Sequence, residues 1–381
     1  MNKRIVTMIV VFMVIMSLKA YADDGNFTNV DISNLESISQ KLQQQRDYMP
    51  DISISRMINT YKETGSLGLT IKDFAGSLIR FTFKEAYGNL KLLLELLLIG
   101  ILCAVLQNIR DSFKSKDIAG IGYYVCYIAM VLLIIRSFTV AIGVGRETIN
   151  SMIEFTNAMM PPLLVLLAAV GGFTSAATLD PVVLLVIKVT SDIIRDFVLP
   201  MTVIVVVLNI VNNLSDNIKI SKLAGLMKQI CLWSLGLIMT LFIGFITVRS
   251  STAATLDQVA LKATKFAVDN FIPVIGKTLS DAIATVAGYS LVLKDAISVA
   301  GLIIMVFICI FPLIKIILLS LVYKFVGAVM EPIVDKKVVD CLTSAGNSLT
   351  IVFASVLAVA MMFFIMVTII ASTGKLVMMV R

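Results

Sequence analysis

Four ionisable residues inside an apolar stretch are the strongest candidates for chemistry in this sequence. They lie at positions i, i+4, i+7 and i+8 of a predicted helix: Lys188, Asp192, Arg195 and Asp196. This spacing places them on one face of the helix, which we call the charged stripe. Because an ionised side chain in an apolar environment is costly, each of these residues needs a partner or water. The stripe therefore predicts either a polar conduit lining or partner-docking surface, or a self-neutralised ladder of ion pairs.

A second pair of opposite charges lies in the first two long apolar runs. Glu95 and Arg136 would face each other across a helical hairpin, so we interpret them as an intramembrane ion pair with a mainly structural role. Lys315 follows Pro312 in another apolar run. Its charge has the same two interpretations as the stripe.

The sequence lacks the residue types on which most catalytic and cofactor chemistry depends. It contains no histidine, which excludes Ser-His-Asp and Cys-His catalysis and removes the commonest metal ligand. The five cysteines show no CxxC spacing, and neither a Walker A loop nor a GxGxxG motif is present. We therefore expect no enzymatic activity, no catalytic residue, no cofactor and no metal.

The composition is that of a membrane protein. Hydrophobic residues make up 58% of the chain and charged residues only 15%, whereas an average soluble domain has about 25% charged residues. Several apolar runs approach the roughly 18 residues that a helix needs to cross a bilayer. The net charge of +7 is spread thinly between these runs, while nucleic-acid binding requires clustered basic residues. The predicted fold class is an all-α polytopic membrane protein with lipid, not nucleic acid, around it.

The first 88 residues divide into a targeting segment and a polar segment. Residues 1–22 have a charged start, an apolar core and the sequence Ala20-Tyr21-Ala22, which are typical of a secretory signal peptide. An uncleaved first helix is the alternative. Residues 23–88 show amphipathic helical patterns and contain no cysteine. We interpret them as an extracytoplasmic helical segment that packs on itself, on a partner or along the membrane surface.

An internal repeat organises the multi-pass domain, residues 89–381. Asp111 and Cys126 recur as Asp216 and Cys231, both at an offset of 105 residues. A weaker third copy begins at Glu331. The repeat predicts three transmembrane helical hairpins, at about 90–142, 197–248 and 308–371.

Two related inserts separate the predicted hairpins, at about 147–196 and 253–307. Proline and glycine residues that we interpret as hinges or breaks interrupt them: Pro161, Pro162, Gly171, Gly172 and Pro273. Such interruptions are typical of broken or re-entrant segments. The prediction is six crossings, or eight if the first insert crosses the membrane twice.

The distribution of basic residues predicts the orientation of the chain. The loops at 110–118, 214–228 and 324–347 carry an excess of lysine and arginine. The positive-inside rule therefore places all three loops in the cytoplasm. The mature N-terminus is then extracytoplasmic, in agreement with the signal sequence.

Three separated motifs are not generic membrane sequence. They are GGFTSAA at residues 171–177, KFAVDNFIPV at residues 265–274, and FPLIKI at residues 311–316, the last continued by Tyr323-Lys324-Phe325. Together they closely resemble the stage III sporulation protein AE family of endospore-forming Firmicutes. The likeness is close over roughly 145–381 and looser over 23–145. The family pattern contains no catalytic residues to transfer.

The resemblance implies a non-enzymatic membrane component of a secretion-like channel complex that links mother cell and forespore during engulfment. Its implied partners are the other stage III sporulation AA–AH proteins, including an ATPase and ring-forming subunits. The implied location is the mother-cell membrane around the forespore. A homo-oligomer is a further expected assembly of the chain. Two alternatives stay open: a stand-alone small-solute permease, and a scaffold that only anchors ring subunits.

Overall fold

The protein is an all-α polytopic membrane protein. The computed structural model describes residues 33–45, 54–64, 71–112, 116–214, 220–271 and 276–378, and these ranges contain helices and short connections but no strand. Single π-helical turns, Ser175–Leu179 and Ile194–Val198, precede and follow α5. The α-helices are α1 Ser33–Gln45, α2 Ile54–Thr64, α3 Ile71–Ser112, α4 Lys116–Ala169, α5 Asp180–Ile193, α6 Leu199–Leu214, α7 Ser221–Phe271, α8 Gly276–Met330 and α9 Lys336–Met378.

Six helical segments in the described part of the chain are long and apolar enough to cross a membrane. They are Phe74–Ile109, Ile121–Ala169, Asp180–Asn213, Ser221–Asp257, Thr285–Met330 and Lys336–Thr373. Each is longer than one bilayer needs: the second has 49 residues, or about 74 Å at 1.5 Å per residue, against a hydrocarbon core of about 30 Å. All six therefore continue beyond a single hydrocarbon core.

Consecutive long helices run antiparallel. Gly122 of α4 packs against Leu106 of α3, on opposite sides of their short connection. Gly327 of α8 packs in the same way against Thr343 of α9. The chain thus alternates in direction from one long helix to the next.

The connections between the long helices lie at two ends of this bundle. The backbone N–H of Asp335 donates a hydrogen bond of 3.0 Å to the side-chain oxygen of Gln107, so the C-terminal part of α3 and the connection at 331–335 share one end. The antiparallel order brings the end of α6 and the start of α7 to that end as well. The turn at 170–174 lies at the other end.

The centre of the bundle is formed by α8 and α9. Half of the apolar window of each is buried, compared with 22% for α3 and 28% for α7. Large side chains such as Tyr323 and Phe363 are buried in these two central helices. The outer helices α3 and α7 therefore present most of their apolar surface outward.

The described part of the polar N-terminal segment packs on the bundle itself. Ile54, Met57 and Ile58 of α2 are buried, and α2 packs on α8. The Ser55 hydroxyl donates to the Glu36 carboxylate at 3.0 Å and joins α2 to α1. The helix α3 runs without interruption through residue 88, where we expected the segment to end. The predicted signal peptide, residues 1–22, lies outside the described residues.

The arms of the first predicted insert continue into longer helices, since α4 ends within it at Ala169 and α5 begins within it at Asp180. Pro161 and Pro162 lie inside α4 and do not end it, contrary to the predicted break there. The two prolines are adjacent, so the hydrogen bonds that they remove fall within one turn. Met159 and Leu163, both fully buried on either side of them, hold this turn in the core.

The break falls instead at the two glycines. Gly171 has a φ of 103°, which a residue with a Cβ rarely adopts. A Cβ on Gly172 would lie 2.9 Å from the Leu167 side chain and 3.2 Å from its carbonyl oxygen. These two positions therefore allow α4 to end and the chain to reverse.

The second predicted insert is also occupied by the ends of long helices, α7 and α8. Pro273 lies outside the described residues, as does the rest of the connection at 272–275. The internal sequence repeat stays a prediction.

Candidate functional site

The structure brings three of the four stripe residues together. The Arg195 guanidinium forms a two-pronged interaction with the Asp196 carboxylate, at 2.9 and 2.7 Å. It also forms an ion pair with Asp192 at 2.9 Å and donates to the side-chain oxygen of Asn150, on α4, at 2.9 Å. One arginine thus joins two carboxylates of its own segment to the neighbouring helix.

A π-helical turn presents these groups on the surface of the bundle. Ile194 and Val198, at the two ends of the turn, are buried, whereas the Asp196 side chain is 59% exposed. Lys188, one end of the predicted stripe, is exposed, and no ion pair or hydrogen bond joins it to another residue in the described ranges. The stripe is therefore a half-exposed cluster on α5 and its π turn, with a separate lysine beside it.

The predicted pair of Glu95 and Arg136 is not brought together. Within the part of the chain that the structure describes, the ion pair of Glu95 is with Lys91, one helical turn earlier, at 3.9 Å. Arg136 is exposed on α4. Lys315 instead pairs with Glu85 of α3 at 3.6 Å. Charges on these outer surfaces are thus joined within a helix, or between α3 and α8.

A buried ionic cluster that we did not predict lies at the turn end of the bundle. Asp180 of α5 forms an ion pair with Arg249 of α7, and both side chains are almost completely buried. Asp257, about two turns after Arg249 on α7, is also fully buried. We call Asp180, Arg249 and Asp257 the buried ionic cluster.

Asp257 caps the start of the helix that follows the two glycines. Its carboxylate accepts hydrogen bonds from the backbone N–H groups of Thr174 and Ser175, at 3.0 and 3.2 Å. The Ser175 hydroxyl donates to the second carboxylate oxygen at 2.5 Å. The first N–H groups of a helix have no partner within it and favour a negative charge. A carboxylate from another helix meets both requirements here.

One further charge is buried near the turn end. The Lys294 ammonium of α8 donates to the carbonyl oxygens of Ile370 and Ala371 of α9, at 3.2 and 2.9 Å. It also lies 3.7 Å from the Asp295 carboxylate. This lysine therefore ties the two central helices together close to the C-terminal end of α9.

Only some of these buried groups could be recognised from the sequence. The motif at 171–177 contains Ser175, and the helix that follows begins with Asp180. Their partners lie about seventy to eighty residues further along the chain, where neither spacing nor helical periodicity can assign them. The stripe, by contrast, is local, and its spacing was enough to find it.

Comparison with known proteins supplies a second line of evidence. The family model described as Stage III sporulation protein AE matches residues 52–374. The curated Stage III sporulation protein AE of Bacillus subtilis (strain 168) is 34% identical over 317 residues, which cover 83% of this chain and 79% of that protein. No solved structure matches the chain.

Proposed function

The chain belongs to the stage III sporulation protein AE family, and we propose from this that it is a non-enzymatic membrane component of a secretion-like channel complex. This complex would link mother cell and forespore and be needed for sporulation. The proposed partners are the other stage III sporulation AA–AH proteins, including an ATPase and ring-forming subunits. The proposed location is the mother-cell membrane around the forespore, with the mature N-terminus extracytoplasmic.

The observation that carries this proposal is the position of the charged stripe on the outside of a bundle that is longer than a bilayer. Arg195 and its two carboxylates face outward from α5, beside Asn150 of α4. A group exposed on the side of a single chain is available to another protein. The stripe therefore supports docking of a partner more directly than it supports a conduit within this chain alone.

The height of the stripe along the bundle supports the same reading. Lys222, Lys324 and Lys336 lie near the connections at one end, which the positive-inside rule assigns to the cytoplasm. Arg195 precedes the end of α6, at Leu214, by a helical distance of about 29 Å. This distance is about the thickness of the hydrocarbon core. The stripe would then lie at the extracytoplasmic surface, where subunits outside the cytoplasm can reach it.

An ATPase partner accounts for a feature of the sequence. The chain contains no Walker A loop, so any transport that depends on nucleotide hydrolysis needs a separate subunit. In this proposal the ATPase acts at the cytoplasmic end, on the connections at 113–115, 215–220 and 331–335. The stripe and the turn at 170–174 lie toward the opposite end.

A fourfold apolar replacement of the stripe tests the proposal. The variant is Lys188→Leu, Asp192→Leu, Arg195→Leu and Asp196→Val, expressed at the wild-type level in sporulating cells. We expect the protein to insert and accumulate, because replacing a set of paired charges by apolar groups is often neutral for stability. Spore yield should nevertheless fall, because the docking surface is lost. Wild-type spore yield at matched protein level would rule out a functional role for the stripe.

A matched control and a second assay separate the alternatives. The double variant Lys91→Leu and Glu95→Leu removes a surface ion pair from α3 and should leave spore yield unchanged. Partner-free uptake of small solutes by the purified protein in liposomes would favour the permease over the channel complex. A wild-type chain that binds its partners but conducts no solute within the assembled complex would favour the scaffold.

A further inference from the structure

The buried ionic cluster is not used by the proposed docking surface, yet it joins two helices that are far apart in sequence. We propose that Asp180, Arg249 and Asp257 form a register latch, which fixes α5 in one position along α7. The helix α6, which follows α5 after the π turn, leads into α7 at one end of this pair. At the other end, the ion pair and hydrogen bonds of the latch join α5 and its preceding turn to α7. This inference does not depend on the proposed function.

Apolar packing alone leaves the register of this helix pair weakly defined. Apart from the cluster itself and Ser191, the buried side chains on the two partners are apolar, for example Val183 and Ile187 on α5 and Phe242 and Ile246 on α7. A slide of one helical turn, about 5.4 Å, would exchange one apolar side chain for another. Apolar burial is non-directional, so by itself it gives little preference for one register.

Close packing of small residues does not define the register either. Gly236 and Gly244 of α7 have nothing within 4 Å of an added Cβ. The two glycines therefore lie in open space and are not pressed against α5 or α6. At the far end the Ile220 backbone N–H donates to the Asn212 side-chain oxygen at 3.0 Å; at the turn end, a further polar contact is needed to distinguish the observed register from those one turn away.

The latch distinguishes it because it attaches α5 to α7 at two points. At the first point, Asp257 receives two backbone N–H groups and the Ser175 hydroxyl. At the second point, one to two turns further along each helix, Asp180 meets Arg249. Two attachments fix both the translation and the rotation of one helix against the other. A slide of one turn would separate both sets of partners and leave three charged groups buried.

Cysteine cross-linking in membranes tests the latch. In a background without the five native cysteines, Val183→Cys is combined either with Ile246→Cys or with Phe242→Cys. Val183 and Ile246 each lie three residues inward from the paired Asp180 and Arg249, so we expect them at about the same level of the antiparallel pair. Phe242 lies about one turn further along α7. With the latch intact, mild oxidation should join residues 183 and 246 at least fivefold more efficiently than residues 183 and 242.

Removing the latch should shift this ratio. The triple variant Asp180→Leu, Arg249→Leu and Asp257→Leu keeps the helices apolar and is expected to bring the two products within about twofold of each other. The matched control replaces the half-exposed set of identical composition, Asp192→Leu, Arg195→Leu and Asp196→Leu, and should leave the ratio unchanged. A triple variant with the wild-type ratio would overturn the latch.

A milder variant and a rescue keep the test decisive if the triple variant does not accumulate. Ser175→Ala with Asp257→Ala removes the first attachment and retains Asp180 and Arg249, and it should raise the off-register product at least threefold. In the variant Asp180→Leu with Arg249→Leu, a disulfide between Ser175→Cys and Asp257→Cys should restore the wild-type ratio. An unchanged ratio in the first variant, or no restoration by the disulfide, counts against the proposal.

Discussion

The paired part of the charged stripe, Asp192, Arg195 and Asp196, and the buried ionic cluster contain the same charged groups, one arginine and two aspartates, in opposite environments. In the stripe, Arg195 pairs with carboxylates three residues before it and one residue after it, and its side chain is 26% exposed. In the cluster, the side chains of Arg249 and Asp180 are 3% and 1% exposed and come from different helices. Identical chemistry thus has two different physical consequences.

The difference follows from the cost of removing charge from water. A solvent-exposed ion pair contributes about 0–1 kcal/mol, because water and salt screen the charges. A buried pair whose partner is removed loses about 3–5 kcal/mol, because a charge stays behind without compensation. The stripe can therefore change for functional reasons at little cost in stability, whereas the cluster is tied to the fold.

The largest expected effect comes from removing the arginine of the cluster. Arg249→Leu leaves Asp180 buried without its cation and should lower the free energy of unfolding by about 3–5 kcal/mol. Denaturant unfolding of the purified protein in detergent or lipid measures this loss. A loss below about 1 kcal/mol, the value expected for a surface pair, would remove the contrast between the two clusters.

Removing both members of the buried ion pair should recover much of that loss. Asp180→Leu combined with Arg249→Leu leaves one fewer charge stranded, so we expect it to be more stable than Arg249→Leu alone by about 2–3 kcal/mol. A double-mutant cycle with Asp180→Leu gives the coupling energy. If the two single losses simply add, the residues are not energetically coupled.

The turn beside the cluster should show an intermediate effect. Gly171→Ala places a Cβ on a residue with a φ of 103°, and strained backbone of this kind costs about 1–3 kcal/mol. The control is Gly143→Ala within α4, where an added Cβ meets nothing within 4 Å and the helix should gain about 0.5–1 kcal/mol. Thermal unfolding of the two variants in parallel measures the difference, and equal transition temperatures would contradict it.

The smallest expected effect on stability comes from the stripe. Arg195→Leu should change the free energy of unfolding by at most about 1 kcal/mol. Added salt should reduce this difference further, because exposed pairs are screened. Denaturant unfolding at low and high salt measures it. A loss as large as that of Arg249→Leu would show that the stripe belongs to the core of the fold.

The two clusters also show which part of the molecule can be predicted from the sequence. Helical spacing was sufficient to place Asp192, Arg195 and Asp196 together, because all three lie within two turns of one segment. Composition and the length of the apolar runs were sufficient for the all-α membrane fold, since a backbone in lipid must satisfy its own hydrogen bonds.

Contacts between helices were beyond the reach of the sequence. The partner of Asp180 is about seventy residues away in the sequence. Glu95, for which Arg136 was the predicted partner, pairs instead with Lys91 on its own helix. Proline was also a poor guide to helix ends, because buried neighbours on both sides carry α4 through Pro161 and Pro162. The glycines at 171 and 172 were the better guide, since the turn requires a backbone without a Cβ.

The length of α4 means that a small change in its tilt corresponds to a large displacement of its ends. The helix runs from Lys116, beside the connections at one end, to Ala169, beside the turn at the other. A rod of this length, about 80 Å, that tilts by about 10° around its midpoint moves each end by about 7 Å. That displacement exceeds one helical turn, the step by which packed helices switch between discrete positions. A tilt of α4 by this small angle as a rigid body would therefore be enough to change the packing at both ends.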